Sequence, residues 1–260
     1  MIAKQAKQHI TALLTKDARL DGRKLDEYRK PLTIEYSISK SAEGSARVQI
    51  GDTIVLAGVK LELGVPYPDT PDEGALMVGA ELLPISSPDF ESGPPGIDAI
   101  ELSRVVDRGI REAKAIDMKK LCITPGEQNW VVCIDIIPLN TAGNLFDACA
   151  LAALAAIKDA KLPARDGKVI DYKTQTDEKL PVLRYPVSVT VWKIGDKLIV
   201  DPTHEEESVI DARLTVAVLE NGELCAMQKG GNSSLSADEI DAMVKLAVAK
   251  SKELRKVLEK

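Results

Sequence analysis

Apolar and polar positions alternate along the chain in a way that predicts two successive sets of strands and helices. Residues 2–16 place Ile2, Ala6, Ile10, Leu13 and Leu14 at helical spacing, which predicts a short amphipathic helix laid against the body or a neighbour. Arg19-Leu20-Asp21-Gly22-Arg23 follows as a turn. Thr33–Ser39 alternates with period two, and Ser45–Ile50 and Thr53–Leu63 read as strands joined by a tight Gly51-Asp52 turn. A Pro- and Asp-rich loop over 65–73 leads to a strand-like segment, Leu76–Ile85. A second loop, 86–96, rich in proline and glycine, delivers the chain to a helix over 100–112. Trp130–Ile137 is apolar and β-branched apart from Asp135, as in a strand covered on both faces. Leu145–Ile157 is alanine-rich and nearly apolar all round, as in a helix buried between layers.

Residues 161–186 are charged, poor in apolar side chains and hold Pro163, Pro181 and Pro186, which reads as a connection between halves. Strands then resume at Val187–Lys193, Lys197–Val200, Ala212–Leu219 and Glu223–Lys229. Ser236 and Glu239 form a capping box that opens a last helix, with Ile240, Met243, Val244, Ala247, Leu254 and Val257 on one side. Ile50-Gly51-Asp52 followed by a strand recurs as Ile194-Gly195-Asp196 followed by a strand. These signals predict an α/β (α+β) chain: an amino-terminal helix over 1–18, one domain over 19–160, a linker over 161–186 and a second domain over 187–260. Each half is expected to carry a mixed sheet with helices packed on it.

The helix over 100–112 brings in the first candidate chemistry. At 100° per residue, Arg104, Arg108 and Arg111 share one narrow stripe, and Leu102, Val105, Val106, Gly109 and Ile110 face the other way. Three of the eleven arginines thus lie within eight residues of a chain whose net charge is -6. Guanidinium forks match phosphate oxygens bidentately, so one reading is a contact surface for a phosphate backbone. The other is a solvated face paired to Glu101, Asp107 and Glu112. The acidic balance argues against non-specific nucleic-acid binding by the whole surface, so any polyanion site must be local.

Composition narrows the remaining choices. Hydrophobic residues at 45% with aromatics at only 3% predict an aliphatic core. No apolar run approaches the ~20 residues of a membrane span, so no membrane partner is expected. The polar, helical amino terminus lacks a signal-peptide core. Cys122, Cys133, Cys149 and Cys225 sit singly in apolar segments and read as small buried hydrophobes of a reducing cytoplasm. With only His9 and His204, a histidine-based metal site or a Ser-His-Asp triad is not expected. The absence of a P-loop or a Rossmann glycine fingerprint counts against a small-molecule α/β enzyme with an arginine-lined anion pocket.

Asp21-Gly22-Arg23, then Glu43-Gly44-Ser45-Ala46-Arg47-Val48-Gln49-Ile50-Gly51-Asp52-Thr53, then the arginine helix resemble the RNase PH family of phosphorolytic 3′-to-5′ exoribonucleases, in order and over about residues 19–255. The loop Pro66-Tyr67-Pro68-Asp69-Thr70-Pro71-Asp72 and Gly93-Pro94-Pro95 are similar, within that family, to the non-catalytic RNase-PH-like subunit of the archaeal exosome. The resemblance implies two related halves with mixed sheets on a ribosomal protein S5 domain 2-like core. It also implies a hexameric ring of three copies alternating with three of a catalytic paralogue, single-stranded RNA in the central channel, and RNA-binding cap proteins on one face. It implies neither DNA nor a cofactor.

Active members hold phosphate with a Gly-(Ser/Thr)-Arg at the start of the helix after the long buried strand. Phosphate and the RNA phosphodiester repel until guanidinium and helix N–H groups neutralise them. Here the matching residues are Gly143-Asn144-Leu145, and Leu145 carries no charge. Asp147, one turn on, reads as a helix amino-terminal acid. In the family's acidic segment, matched by residues 200–207, Asp201 is kept and Glu207 stands in for the last aspartate. Without its cation such a cluster is expected to bind phosphate badly, so Asp201 and Glu207 are a residual acidic site and Asn144 and Leu145 a degenerate phosphate site. No residue is expected to be catalytic and none to hold a metal. By position, Arg104 and Arg108, with Arg111 less closely placed, match the family's channel arginines. The alternatives are a self-sufficient phosphorolytic exoribonuclease and the small-molecule enzyme above.

Overall fold

The computed structural model describes residues 2–166 and 169–259, with side chains throughout except at 2–4 and 173–175. Ile2, expected on the apolar face of the first helix, and Met1, Gly167, Lys168 and Lys260 of the expected spans lie outside the residues so described. In chain order the elements are α1 (Ile2–Thr15), β1 (Leu32–Tyr36), β2 (Gly44–Ile50), β3 (Thr53–Gly64), β4 (Ala75–Ala80), α2 (Ile97–Glu112), β5 (Cys122–Thr124), β6 (Gln128–Asn140) and α3 (Leu145–Asp159). There follow β7 (Lys161–Asp166), β8 (Val169–Lys179), β9 (Val187–Ile194), β10 (Lys197–Val200), α4 (His204–Glu207), β11 (Ala212–Val218), β12 (Leu224–Gly230) and α5 (Ala237–Leu258).

The first sheet runs β1-β2-β3-β6-β4, with β5 beside β6, and the second runs β10-β9-β11-β12. The single parallel pair among the described residues is β4 with β6, because α2 carries the chain across between them. The second sheet is antiparallel throughout, against the expectation of a mixed sheet in each half: β9–β10 and β11–β12 are hairpins, and the connection through α4 brings β11 to the other side of β9, antiparallel to it. Gly51 and Gly195 take φ of +57° and +60° in the two matching turns, a conformation glycine adopts without cost. The pairing around those turns differs. In the first half the strand after the turn, β3, continues the sheet to β6; in the second it is the strand before it, β9, that continues to β11.

Three helices fill the space between the sheets. α3 packs on β2 and β3 and also on β9; α2 touches β4 and β12; α5 lies on β9 and β11 and reaches β1. Every residue from Asp147 to Ile157 is buried, so the alanine-rich helix is enclosed as its composition predicts. One continuous cluster of aliphatic side chains joins both halves through it. Ile10 and Leu14 of α1 cover the far side of the second sheet, against Trp192, Ile194 and Ile199. The amino-terminal helix therefore packs on the body.

Several expectations give way to tertiary context. Within 130–137 of β6 only alternate residues, Trp130, Val132, Ile134 and Ile136, are buried; the strand is covered on one face, because no described helix lies over the outer side of this sheet. The expected linker is largely a β-hairpin, β7–β8, whose two faces are too polar to show an apolar alternation. The segment expected as a strand to Ile85 ends at Ala80 and turns at Leu83–Ser86. On α5, Met243, Ala247 and Leu254 are buried, but Ile240 is exposed. The capping box forms as expected: Ser236 Oγ accepts from the Glu239 N–H at 3.2 Å, and a Glu239 carboxylate oxygen accepts from the Ser236 N–H at 2.8 Å. Of the four cysteines only Cys149 is buried, and all are free thiols. No described helix is long and apolar enough to cross a membrane.

Candidate functional site

α2 presents its two faces as the periodicity predicts. Ala99, Leu102, Val105, Val106, Gly109 and Ile110 are buried, and Arg104, Arg108 and Arg111 are exposed. The acids expected to neutralise the stripe do so only in part. Glu101 turns inward to Arg213, 2.7 Å away. Asp107 takes Arg111 in a bidentate pair at 2.7 and 3.0 Å, and Arg111 also donates to the Leu76 carbonyl. Arg108 donates to the neutral Gln228 side chain at 2.9 Å. Arg104 has no hydrogen bond or ion pair among the described residues. The face therefore offers one unpaired guanidinium, one held only by an amide, and one already matched to a carboxylate. An anion entering this groove, about 420 Å³ in volume, meets Arg104 and Arg108 first.

At the start of α3 the balance is reversed. Gly143 and Asn144 both have positive φ, +102° and +55°. A side chain at Gly143 would collide with the Pro202 carbonyl, so glycine lets the α3 entry lie directly on the acidic segment. The Asn144 amide is spent inside the protein, donating to Asp147 at 3.1 Å and Asp201 at 3.0 Å. The Asn144 backbone N–H donates to a Glu207 carboxylate oxygen at 3.2 Å. A helix amino terminus is an anion site by virtue of such N–H groups. Here the chain's own carboxylate sits on it, and burial pushes the Glu207 carboxyl above its ordinary range. Leu145 turns its side chain to the core and supplies no cation.

Of the two residual acids, Asp201 is not short of cations, contrary to the expectation from sequence, whereas the Glu207 carboxylate has only the Asn144 N–H as a hydrogen-bond partner among the described residues. Asp201 is fully buried and accepts from the Arg29 backbone N–H at 2.7 Å, from Arg29 Nε and Nη2 at 3.0 and 2.8 Å, and from Arg23 Nη1 at 3.2 Å. Arg29 also caps the Gly143 and Ala142 carbonyls. Arg19 grips the buried Glu206 with two nitrogens and reaches the carbonyls of Val200 and Asp201. Thr203 and Glu206 close a capping box around the short α4. Arg19, Arg23 and Arg29 are thus structural counter-ions, and nothing near them in sequence marks them as such. Most of their N–H donors are spent on internal acceptors, although Arg23 and Arg29 also edge a cavity of about 650 Å³ together with Lys30 and His204.

Asp147 completes this polar core. It is fully buried and accepts from Tyr28 Oη at 2.8 Å, from the Asn144 amide and from the Thr190 N–H at 2.7 Å. Burial outweighs these bonds and pushes its carboxyl up to about 7. A carboxyl whose folded pKa lies above its unfolded value binds extra protons in the native state, so its contribution to stability is present at low pH and is lost as pH rises through 7. Asp147→Asn will therefore flatten the fall in unfolding midpoint between pH 5 and 8 relative to wild type, as followed by circular dichroism. An unchanged profile would show that Asp147 titrates normally.

Between the two regions lies a cavity of about 400 Å³ walled by Leu102, Leu145, Phe146 and Trp192, with Glu101, Glu207 and Arg213 at its polar side. Arg213 stacks on Phe146 at 4.1 Å and is paired to Glu101, and Asp89 and Asp98 also line the cavity, so a phosphate here would face four carboxylates and a neutralised cation. Among the described residues no three His, Cys, Asp or Glu side chains gather as they would to hold a metal. The arrangement can contact a polyanion along α2. Around the α3 entry, the described cations Arg19, Arg23 and Arg29 all have carboxylate partners within the protein.

Known proteins resemble this chain over its whole length. The models of the 3′ exoribonuclease family match in order, domain 1 over residues 28–163 and domain 2 over 184–250. The exosome complex component Rrp42 of Methanocella arvoryzae is 45% identical over 259 residues, covering 100% of this chain and 97% of that protein. Its counterpart in Methanothermobacter thermautotrophicus is 43% identical, covering 100% and 96%. Among solved structures, a chain of the Archaeoglobus fulgidus exosome with RNA bound to the active site superposes with a TM-score of 0.91 at 44% identity, covering 98% of both chains. Rice Rrp46, at 18% identity and a TM-score of 0.70, shares the fold. With both domain models matched in order and full-length relatives above 40% identity, the chain belongs to the RNase PH family of 3′ exoribonucleases.

Proposed function

We propose that this chain is a non-catalytic subunit of an archaeal exosome. It alternates with a catalytic RNase-PH-like paralogue in a three-plus-three cytoplasmic ring that carries RNA-binding cap proteins. In that ring it holds single-stranded RNA by its phosphates while 3′-to-5′ phosphorolysis proceeds in the neighbour's site. Arg104 and Arg108 are the principal contacts, and Arg111, matched to Asp107, contributes less.

The observation that carries this reading is the opposite state of the two anion sites. The α3 amino terminus has a leucine where the family's active members carry arginine, and its N–H is occupied by Glu207. The α2 face keeps Arg104 exposed and without a partner among the described residues. Phosphoryl-transfer enzymes depend on such an arginine by factors of about 10³–10⁵ in rate, so its replacement removes catalysis while leaving RNA contact intact. The near-complete match to archaeal exosome components supports the ring. Phosphorolysis measured on the chain alone and after mixing with the paralogue tests the reading.

A further inference from the structure

The loop of 65–73 stands out by its Pro-Tyr-Pro sequence, and the arginine face does not use it. Pro66 is buried and anchors the loop, while Tyr67 beside it is 64% exposed. Behind Tyr67 the backbone is tied down. The Thr70 N–H donates to the Tyr67 carbonyl at 3.0 Å, the Gly126 N–H to the Pro71 carbonyl at 2.8 Å, and the Asn129 amide to the Glu73 carbonyl at 2.9 Å. Flanking prolines restrict the backbone further. The ring is thus displayed on a rigid mount and loses little freedom on binding.

Of the chain's five tyrosines, only Tyr67 and Tyr172 are exposed, and the Lys60 ammonium already covers the Tyr172 ring at 4.4 Å. Tyr67 edges a cavity of about 530 Å³ whose other side is the carboxyl end of α2, with Arg111 and Lys114. Arg111 and Tyr67 thus face the same cavity. Glu73 and Asp117 also line the cavity, and Lys119 is paired to Asp72 at 3.6 Å, so the site is not a general anion trap. The stripe from Arg104 to Arg111 advances about 10 Å along the helix toward it.

We propose that Tyr67 is a stacking platform for a nucleobase of single-stranded RNA, one step beyond the phosphates held at Arg104 and Arg108, with Arg111 at the adjoining phosphate. This rests on the RNA-binding role proposed above. An aromatic face stacks on any base, so the contact adds affinity without strict sequence preference.

The test is equilibrium binding of an oligoadenylate containing one 2-aminopurine to the ring assembled with its paralogue, in phosphate-free buffer so that no phosphorolysis occurs. Tyr67→Ala will weaken binding about tenfold, relieve quenching of the 2-aminopurine, and leave the salt dependence unchanged, because stacking releases no counter-ions. Tyr67→Phe will bind as wild type. Undiminished affinity for Tyr67→Ala, while R104E/R108E binds weakly, would overturn the stacking role and leave the arginine role standing. Failure of Tyr67→Ala to assemble, with normal RNA affinity in whatever ring forms, would make Tyr67 a protein contact and overturn it too. Unchanged affinity in both variants would overturn the stacking role and the arginine role together.

Discussion

Reversing Arg104 and Arg108 together, as R104E/R108E, will lower the affinity of the assembled ring for single-stranded RNA by about ten- to a hundredfold. Each charged contact contributes on the order of 1 kcal/mol at an exposed site, and 1.4 kcal/mol is a factor of ten. The dependence of log K on log salt will flatten by roughly 0.7 for each single-strand phosphate that is no longer neutralised. The fold will tolerate the change. Arg104 bonds to nothing among the described residues and Arg108 only to Gln228, so stability should move by less than about 0.5 kcal/mol. Arg111→Gln should weaken RNA binding less, because Asp107 already takes most of that cation. An unchanged slope with unchanged affinity would remove the arginine stripe from the RNA path.

The second large effect concerns stability. Asp201→Ala will destabilise the protein by about 3–5 kcal/mol, since it leaves Arg29 and the Asn144 amide without their buried acceptor. For a chain of this size that lowers the unfolding midpoint by on the order of 10 °C. Asp201 also has a φ of +52°, which alanine tolerates poorly and asparagine well. Asp201→Asn therefore separates the lost charge from the backbone strain, and most of the loss should persist in it. A midpoint within about 2 °C of wild type for both variants would show that the arginines find other partners and that Asp201 is not the hub of this core. In the proposed non-catalytic subunit, the absence of a cation at Leu145 and the internal pairing of the cations around Asp201 act together to close the α3 entry to phosphate.

That closure was not legible in sequence, and the reason is distance along the chain. Arg29 and Asp201 are 172 residues apart and Arg19 and Glu206 are 187 apart, so nothing local relates them. The substitution at Leu145 was readable because the family pattern is contiguous there. The arginine face was readable because helical periodicity is local, and so was the enclosure of α3, whose alanines admit two sheets and two helices at once. The β7–β8 hairpin escaped because strands without a buried face show no apolar alternation. Coverage of β6 was overread because its half-exposed positions, Val131, Cys133 and Ile137, are as apolar as its buried ones. α4 is too short for periodicity, although Thr203 and Glu206 carried its capping signature.

The most direct test of a subunit that holds RNA without cleaving it is phosphorolysis of an A-rich single-stranded RNA, with phosphate and Mg²⁺, by the purified chain alone and mixed with its catalytic paralogue. The chain alone will release no nucleoside diphosphate, and the mixture will release it processively. Nucleoside diphosphate released by the chain alone would contradict the non-catalytic role, and would require phosphate to displace Glu207 from the amino terminus of α3.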